Sequence, residues 1–255
     1  MEELSKNRIK YIKSLSQKKY RKQEKHYIAE GAKIIEDLIL ANHPIKIIYA
    51  APEAYDKLLN LSQRKNITLV ETSIKSIEKA SHLTTPSNAI ALMAIEPDVF
   101  SIDMLHNKIT IALDNIQDPG NLGTIIRIAD WFGIDNIICS KDTVDVYNNK
   151  VIQSTMGAIA RVKVYYDDLH HIIDQATQNN INIFGTFLDG KNIYSEELPK
   201  QGIVVMGNEG KGISESIESL VTNKITIPSF RQEKGSESLN VAMATSIICS
   251  EFMRR

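Results

Sequence analysis

The sequence predicts an α/β protein in two parts: a small N-terminal α/β domain over residues 1–97 and a larger domain over 108–255 built on a mostly parallel sheet. Three observations carry this. From about Lys108 onward, short apolar runs alternate with stretches of helical spacing, the pattern of strands joined by crossover helices. The runs are apolar almost throughout, as in a sheet covered on both faces. Between the two parts, "EPDVFSIDML" sets Pro97 in a polar stretch as a breaker.

In the first part, "HYIAEGAKIIEDLILANH" reads as an amphipathic helix with Ile34, Ile35, Leu38 and Ile39 on one face. "IKIIYAA" is a β-branched strand ended by Pro52, and "NITLVET" is another. "SIKSIEKASHL" has helical spacing and "SNAIALMAI" closes as a strand. In the second part, "KITIALDNI" is a strand, residues 122–133 a helix, and "NIICS" a strand. "NNKVIQSTMGAIARV" reads as a helix with small residues on one side, "KVYY" as a strand and "DLHHIIDQATQNN" as a helix. "NIFGTFLD" and "GIVVMG" are strands, "ISESIESLV" a short helix, "KITIPS" a strand and "SLNVAMATSIICSEFMRR" the closing helix. No internal repeat is present. In open parallel sheets, ligands bind outside the carboxyl ends of the strands. Chemistry is therefore expected in the loops after Asn115, Phe187, Met206 and Ile227.

Composition excludes more than it assigns. With 30 Lys and Arg against 31 Asp and Glu, the net charge is −1, so no global positive field advertises nucleic acid. The distribution is lopsided, however. Residues 1–25 hold Lys6, Arg8, Lys10, Lys13, Lys18, Lys19, Arg21, Lys22 and Lys25 against Glu2, Glu3 and Glu24, a basic arm on a near-neutral body. Tyr11, Tyr20 and Tyr27 are interleaved with it and offer either stacking surfaces or core packing, the latter above all for Tyr27. Cys139 and Cys249 sit in apolar contexts without disulfide density or metal spacing, which suits a reducing cytoplasm. His170 and His171 lack a carboxylate or thiol at ligand spacing, so no metal is expected. No run has membrane-spanning length, and no signal peptide is expected.

Three loops carry polar groups of interest. In "NIQDPGNLGTIIRIADWF", Pro119 and Gly120 make a tight turn, and Asn121 either caps the following helix or faces a ligand. Arg127 stands among Ile125, Ile126, Ile128 and Ala129, and its planar donor fork suits an anion. A snorkelling Arg with a buried stem is the alternative. In "VVMGNEGKGIS", Gly207, Gly210 and Gly212 follow a strand, but the spacing is not that of a dinucleotide fingerprint or a P-loop. Glu209 inside the loop argues against a phosphate cradle. In "IPSFRQEKGSESLNVAMATS", Ser236 and Ser238 are both helix-cap candidates, and Ala242, Ala244 and Thr245 leave one side of the last helix thin. A fourth loop, "FGTFLDGKN", is a strand end with Gly185 and Gly190.

In this order, "N..DPGNLGTIIRIADWFGI", "VMGNEGKGIS" and "IPSF……SESLNVAMATSII.SE" resemble the three motifs of the SpoU (TrmH-like) RNA 2′-O-ribose methyltransferases, over about 108–255. "RKQEKHYIAEGAKIIEDLI" resembles the small RNA-binding substrate domain that precedes the catalytic domain in many members. The resemblance implies a SPOUT-type catalytic domain with a C-terminal trefoil knot, S-adenosylmethionine as methyl donor, rRNA or tRNA as substrate, a homodimer and a cytoplasmic setting. By motif position it implies that Thr186, Phe187, Gly207, Ile227, Ser229 and Leu239 lie against the donor, and that Asn121, Arg127, Glu209, Ser238 and Asn240 face the reacting groups. Arg127 is then the catalytic Arg, as proton acceptor or as the group that holds a phosphate and stabilises the forming alkoxide. The loop "IPSFRQEKGSES" is longer than the interval usual in the family. With Arg231 and Lys234 it reads as a lip that orders on RNA. The competing reading is an RNA-binding module of the same fold without turnover.

Overall fold

The computed structural model describes residues 3–231 and 238–254. The chain divides into two compact units. One comprises Met1–Pro97 together with Asp145–Ala160, the other Asp98–Val144 together with Arg161–Arg255.

The first unit begins with α1 (Lys6–Ser14), started by Ser5, whose side chain accepts the Arg8 N–H, and α2 (Lys18–Glu24). β1 (His26–Glu30) follows, then α3 (Ala32–Leu40). The single helix expected from "HYIAEGAKIIEDLILANH" is thus a strand and a helix. The chain turns at Gly31, whose φ of 107° no helix interior accommodates. The apolar face was correctly legible: Ile34, Ile35, Leu38 and Ile39 are all buried. β2 (Ile45–Ala50), α4 (Pro52–Arg64), the short β3 (Leu69–Glu71), α5 (Ile74–Ala80) and β4 (Ala89–Ala94) complete a sheet of order β1-β4-β2-β3. Only the β2/β3 pair is parallel. Ile12, Leu15, Ile28, Tyr49, Ile77, Ala80, Ile90 and Leu92 form the core beneath α1 and α5.

The second unit opens with β5 (Ile109–Leu113), α6 (Pro119–Trp131) and β6 (Asn136–Ser140). The chain then contributes α7 (Asn149–Ser154) to the first unit. The longer helix expected from "NNKVIQSTMGAIARV" stops there, because Met156 and Gly157 both take positive φ, 50° and 92°. A 3₁₀ turn, Ala158–Ala160, follows. This segment is bound into the first unit by several kinds of contact. Tyr147 stacks on Tyr27 with ring centroids 4.6 Å apart, and Gln153 Nε2 donates to the Glu30 carbonyl at 2.8 Å.

β7 (Lys163–Asp167), α8 (Leu169–Gln178), β8 (Ile183–Asn192), β9 (Gly202–Met206), α9 (Glu215–Glu218), β10 (Asn223–Thr226) and α10 (Val241–Met253) finish the second unit. Its six-stranded sheet has the order β10-β8-β9-β5-β6-β7, and every pair is parallel. His170 and His171 are exposed at the start of α8, which Asp168 caps. α10 packs against α6. Among the described residues, no helix is long and apolar enough to cross a membrane, and no group of three or more His, Cys, Asp or Glu could hold a metal. Both cysteines are buried thiols.

Candidate active site

The site is built where β5, β8, β9 and β10 end, and the strand termini explain its shape. After β5, Asp114 is buried and accepts the Ser214 N–H at 2.8 Å, tying down the exit of the loop that follows β9. Asn115 takes a positive φ of 60°, and its carbonyl accepts from Asn208 Nδ2 at 2.7 Å. The loop after β9 is a closed hairpin. Asn208 and Gly212 exchange both backbone hydrogen bonds at 2.9 Å, and Asn208 Oδ1 accepts the N–H groups of Gly210 and Lys211 at 2.9 and 3.0 Å. These donors are spent within the loop, so it cannot cradle a phosphate. A Cβ added to Gly207 would lie 2.3 Å from the Gly212 carbonyl carbon and from the Ile213 nitrogen. Only glycine lets the hairpin close this tightly.

Glu209 is held out at the hairpin tip. Its Oε1 accepts from Asn121 Nδ2 at 2.8 Å, and Asn121 Oδ1 accepts from Asn240 Nδ2 at 3.0 Å. Asn240 Oδ1 in turn accepts the backbone N–H groups of Ala242 and Met243, at 2.9 and 3.3 Å, as the cap of α10. This directional chain runs from a helix terminus through two amides to a carboxylate, and it joins three segments far apart in sequence. The direction of each amide follows from its neighbours, since the N–H donors of α10 can only be met by the Asn240 oxygen. The other Glu209 oxygen has no partner among the described residues and is free to meet a ligand.

Two expected helix caps are corrected by this arrangement. α6 begins three residues earlier than 122, at Pro119, and its cap is Asp118, whose side chain accepts the Asn121 N–H at 2.8 Å. The Asn121 side chain is therefore released from capping and turned to Glu209. The last helix is capped by Asn240 and not by Ser238, which is exposed; Ser236 lies outside the described residues, as does Lys234. Arg127 is exposed on α6, with no hydrogen bond or ion pair among the described residues. It is neither buried nor neutralised, and its fork is available to an incoming anion.

Of the expected donor residues, Thr186 and Phe187 lie in β8, Gly207 directly follows β9, Ile227 and Ser229 follow β10, and Leu239 precedes α10. β8 pairs with β10 up to Gly185 opposite Lys224 and again from Lys191 opposite Ile225, so residues 186–190 leave the ladder. At its far end Gly190 lies against Ile225, where a Cβ would come within 2.5 Å of backbone. Within the excursion, Thr186 Oγ1 donates to the Val205 carbonyl at 3.1 Å, and the Phe187 ring carries the Lys224 ammonium 4.6 Å from its centroid. Phe187 and Ile227 are half-buried and Leu239 is 53 % exposed; Ser229 is exposed, its Oγ accepting the Arg231 N–H at 3.4 Å. Half-covered apolar groups beside a loop whose amides are already occupied fit a donor with an apolar ring and no phosphate.

Asn115 was legible only as the start of a loop and of the first motif, and Asp114 and Asn208 were given no role in the sequence reading. Their signal was available: polar side chains directly after buried strands, where connection backbone needs satisfying.

The chain matches the profile of the SpoU rRNA methylase family over residues 108–250 and that of the MRM3-like substrate binding domain over 6–91. It belongs to the SpoU rRNA methylase family. A Porphyromonas gingivalis structure described as an RNA methyltransferase of the TrmH family is 34% identical, covers 99% of both chains and superposes with a TM-score of 0.88. An AdoMet-bound rRNA methyltransferase from Sinorhizobium meliloti is 25% identical, covering 100% of this chain and 97% of that one, with a TM-score of 0.86. In sequence, the 23S rRNA (guanosine(2553)-2′-O)-methyltransferase RlmP of Bacillus subtilis is 25% identical over 250 residues, 97% of this chain and 96% of its own. The SpoU membership accounts for the all-parallel sheet and for the order of the three loops along the chain.

Proposed function

We propose that this SpoU-family protein transfers the methyl group of S-adenosylmethionine to a ribose 2′-hydroxyl of rRNA or tRNA. The observation that carries the reading is the Asn240–Asn121–Glu209 chain, which ties the three family motifs into one polar centre, with Arg127 exposed further along the same helix as Asn121. When bound, the donor supplies an already activated methyl group. The protein then has to align the hydroxyl with it and ease loss of the hydroxyl proton.

Thr186, Phe187, Gly207, Ile227, Ser229 and Leu239 are the residues we assign to the donor. Arg127 is assigned to an RNA phosphate and to the oxygen on which negative charge develops. A guanidinium stays charged in proteins, so charge stabilisation demands less of it than accepting a proton. Asn121 and Asn240 hold Glu209 in place, and its free oxygen is aimed at the donor or the ribose. Ser238, exposed just before α10, faces the same opening in this reading. The trefoil knot belongs to the same family expectation.

We also read the protein as a homodimer. Trp131 is 85 % exposed one helical turn beyond Arg127, and Met243 on α10 is 60 % exposed, large apolar groups that favour cover. A cytoplasmic setting follows from an RNA substrate and two reduced cysteines. The test is incubation with methyl-labelled S-adenosylmethionine and unmodified total RNA, beside Arg127→Ala, followed by alkaline digestion. A ribose methyl blocks cleavage of its own linkage. Labelled dinucleotides from the wild type, reduced roughly 100-fold or more by the substitution, are expected. Label in mononucleotides would place the methyl on a base and overturn the reading. Donor binding with no transfer to any RNA would favour a binding module.

A further inference from the structure

The first unit presents an unusual electrostatic surface. Lys6, Arg8, Lys10 and Lys13 on α1 and Lys18, Lys19, Lys22 and Lys25 along α2 are all exposed. None of the eight has a carboxylate partner among the described residues. Elsewhere the exposed cations are divided: Lys33, Lys57, Lys108, Arg161, Lys163 and Lys224 are paired with Asp37, Glu36, Asp135, Asp130, Asp98 and Glu218, while Lys46, Lys75, Lys141 and Lys211 stand singly with no ion pair among the described residues. What sets this corner apart is density: the eight fall between residues 6 and 25, on or directly after two consecutive helices, with no ion pair to offset them among the described residues.

The surface is also held rigid from beneath. The ninth basic residue of the arm, Arg21, is 3 % exposed and does a different job. Its Nη1 donates to the carbonyls of Leu15 and Ser16, at 2.9 and 2.8 Å, in the turn between the two helices. The rest of the guanidinium is taken by Asp145, at 2.6 Å from Nη2. His82 Nε2 contacts the Lys13 carbonyl at 3.2 Å, so the last turn of α1 is pinned as well. Ile12 and Leu15 are fully buried below. On the outer side, the Arg8 guanidinium lies over the rings of Tyr11 and Tyr49, 5.9 and 6.0 Å from their centroids, a stacked cation aimed at solvent.

We propose that the α1–α2 corner is a docking surface for the phosphate backbone of RNA, with Lys10, Lys13, Lys18, Lys19 and Lys22 as phosphate contacts and Arg8 at its edge. The inference rests on the RNA-methyltransferase reading and assigns the RNA affinity of the substrate domain to this corner. It makes the contact one of charge and shape. Phosphate contacts position the RNA, while sequence is read elsewhere.

The test uses the full chain and a 23S rRNA transcript made without modification. Binding is measured by filter retention from 50 to 300 mM KCl for the wild type and for Lys13→Gln/Lys18→Gln/Lys19→Gln/Lys22→Gln. Each phosphate contact contributes about 0.7–0.9 to the slope of log K against log salt. The quadruple variant is expected to lower that slope by about 3 and to weaken binding at least ~10-fold at low salt, with an unchanged thermal midpoint. Lys57→Gln/Lys65→Gln, on α4 and directly after it, should leave the slope alone. A quadruple variant that binds with the wild-type slope overturns the proposal, as does loss of binding to phosphatidylglycerol vesicles without loss of RNA binding. If labelled methyl transfer is intact while the slope is unmoved, the corner assignment fails and the activity stands. If no transfer to RNA occurs in the wild type, the underlying reading fails instead.

Discussion

Asp145→Asn tests whether the first unit depends on a segment that lies within the second in sequence. Arg21 and Asp145 are 3 % and 16 % exposed at their side chains, and Asp145 Oδ2 receives both Nε, at 3.2 Å, and Nη2, at 2.6 Å. The substitution keeps the shape of the side chain but removes its charge, leaving a guanidinium buried without a counter-ion. Breaking a buried pair from one side costs about 3–5 kcal/mol, a large fraction of the about 5–15 kcal/mol that separates folded from unfolded domains. The loss should appear in urea unfolding followed by far-UV circular dichroism, and as faster hydrogen exchange at the β1 amides.

A second variant separates charge from packing. Arg21→Met/Asp145→Leu removes both ions, and apolar replacement of buried pairs is often neutral or stabilising. It should therefore recover most of the loss, although the Met cannot meet the Leu15 and Ser16 carbonyls. If Asp145→Asn lies within about 1 kcal/mol of wild type, in the range of an exposed pair, the pair is not structural and the reasoning fails. By the same logic a polypeptide of residues 1–97 lacks Asp145, Tyr147 and Gln153 and should not unfold cooperatively.

Four further outcomes are expected. Gly207→Ala forces a Cβ into backbone 2.3 Å away, and overpacking costs about 1–3 kcal/mol; calorimetry should show weakened donor binding, and unaltered binding would remove the need for the closed hairpin. Trp131→Glu should leave the thermal midpoint nearly unchanged and shift sedimentation equilibrium towards the monomer, while an unchanged mass distribution would exclude this face from the interface. Burial holds the His82 imidazole below its ordinary pKa, against the opposing pull of the Lys13 carbonyl and Glu30. Its folded form thus resists a proton that the unfolded chain accepts near pH ~6.5, so this stability is full above that pH and falls as pH drops through it, by at most about 1.4 kcal/mol per unit. His82→Gln should flatten the change in urea midpoint between pH 7.5 and 5.5. Finally, burial raises the Cys139 thiol far above its usual range and pushes Cys249 up to about 12; neither should react with a disulfide reagent until urea unfolds the chain, and rapid labelling of the native protein would contradict their burial.

Much of the fold was legible because parallel strands in a covered sheet are marked twice, by apolar runs and by alternation with helices. β5, β6 and β9 are each wholly or almost wholly buried and were read at nearly their true positions. The failures lie where one local preference hides another. His26–Glu30 continues the apolar spacing of α3, so the strand disappears into the helix unless Gly31 is given its due weight. The α7 region carries helical spacing past Ser154, but Met156 and Gly157 end it by backbone geometry that spacing does not express. Nothing in "DVYNNKVIQSTMGAIA" says which unit it joins. That is fixed by Tyr147 meeting Tyr27 and Asp145 meeting Arg21, contacts more than a hundred residues apart.

The polar centre was legible as a set of residues but not as a device. Asn121 looked like a cap, and a cap it would be if the helix began at Leu122. Asp118 takes that work one turn earlier, and the freed amide becomes the link between Asn240 and Glu209. An Asn suits this place because it donates on one side and accepts on the other. Asp could accept from Asn240 but would face Glu209 with a like charge, and Ser would be too short to span both. The same argument separates the two Asn residues: Asn240 must also cap α10, so its oxygen is committed before its nitrogen reaches Asn121. The orientation of the centre is therefore set by the N-terminus of α10, whose donors cannot be reversed. Arg127 stands outside this chain, bonded to nothing in it. Asn121 and Asn240 are each bonded on both sides, Glu209 on one and, among the described residues, Arg127 on none.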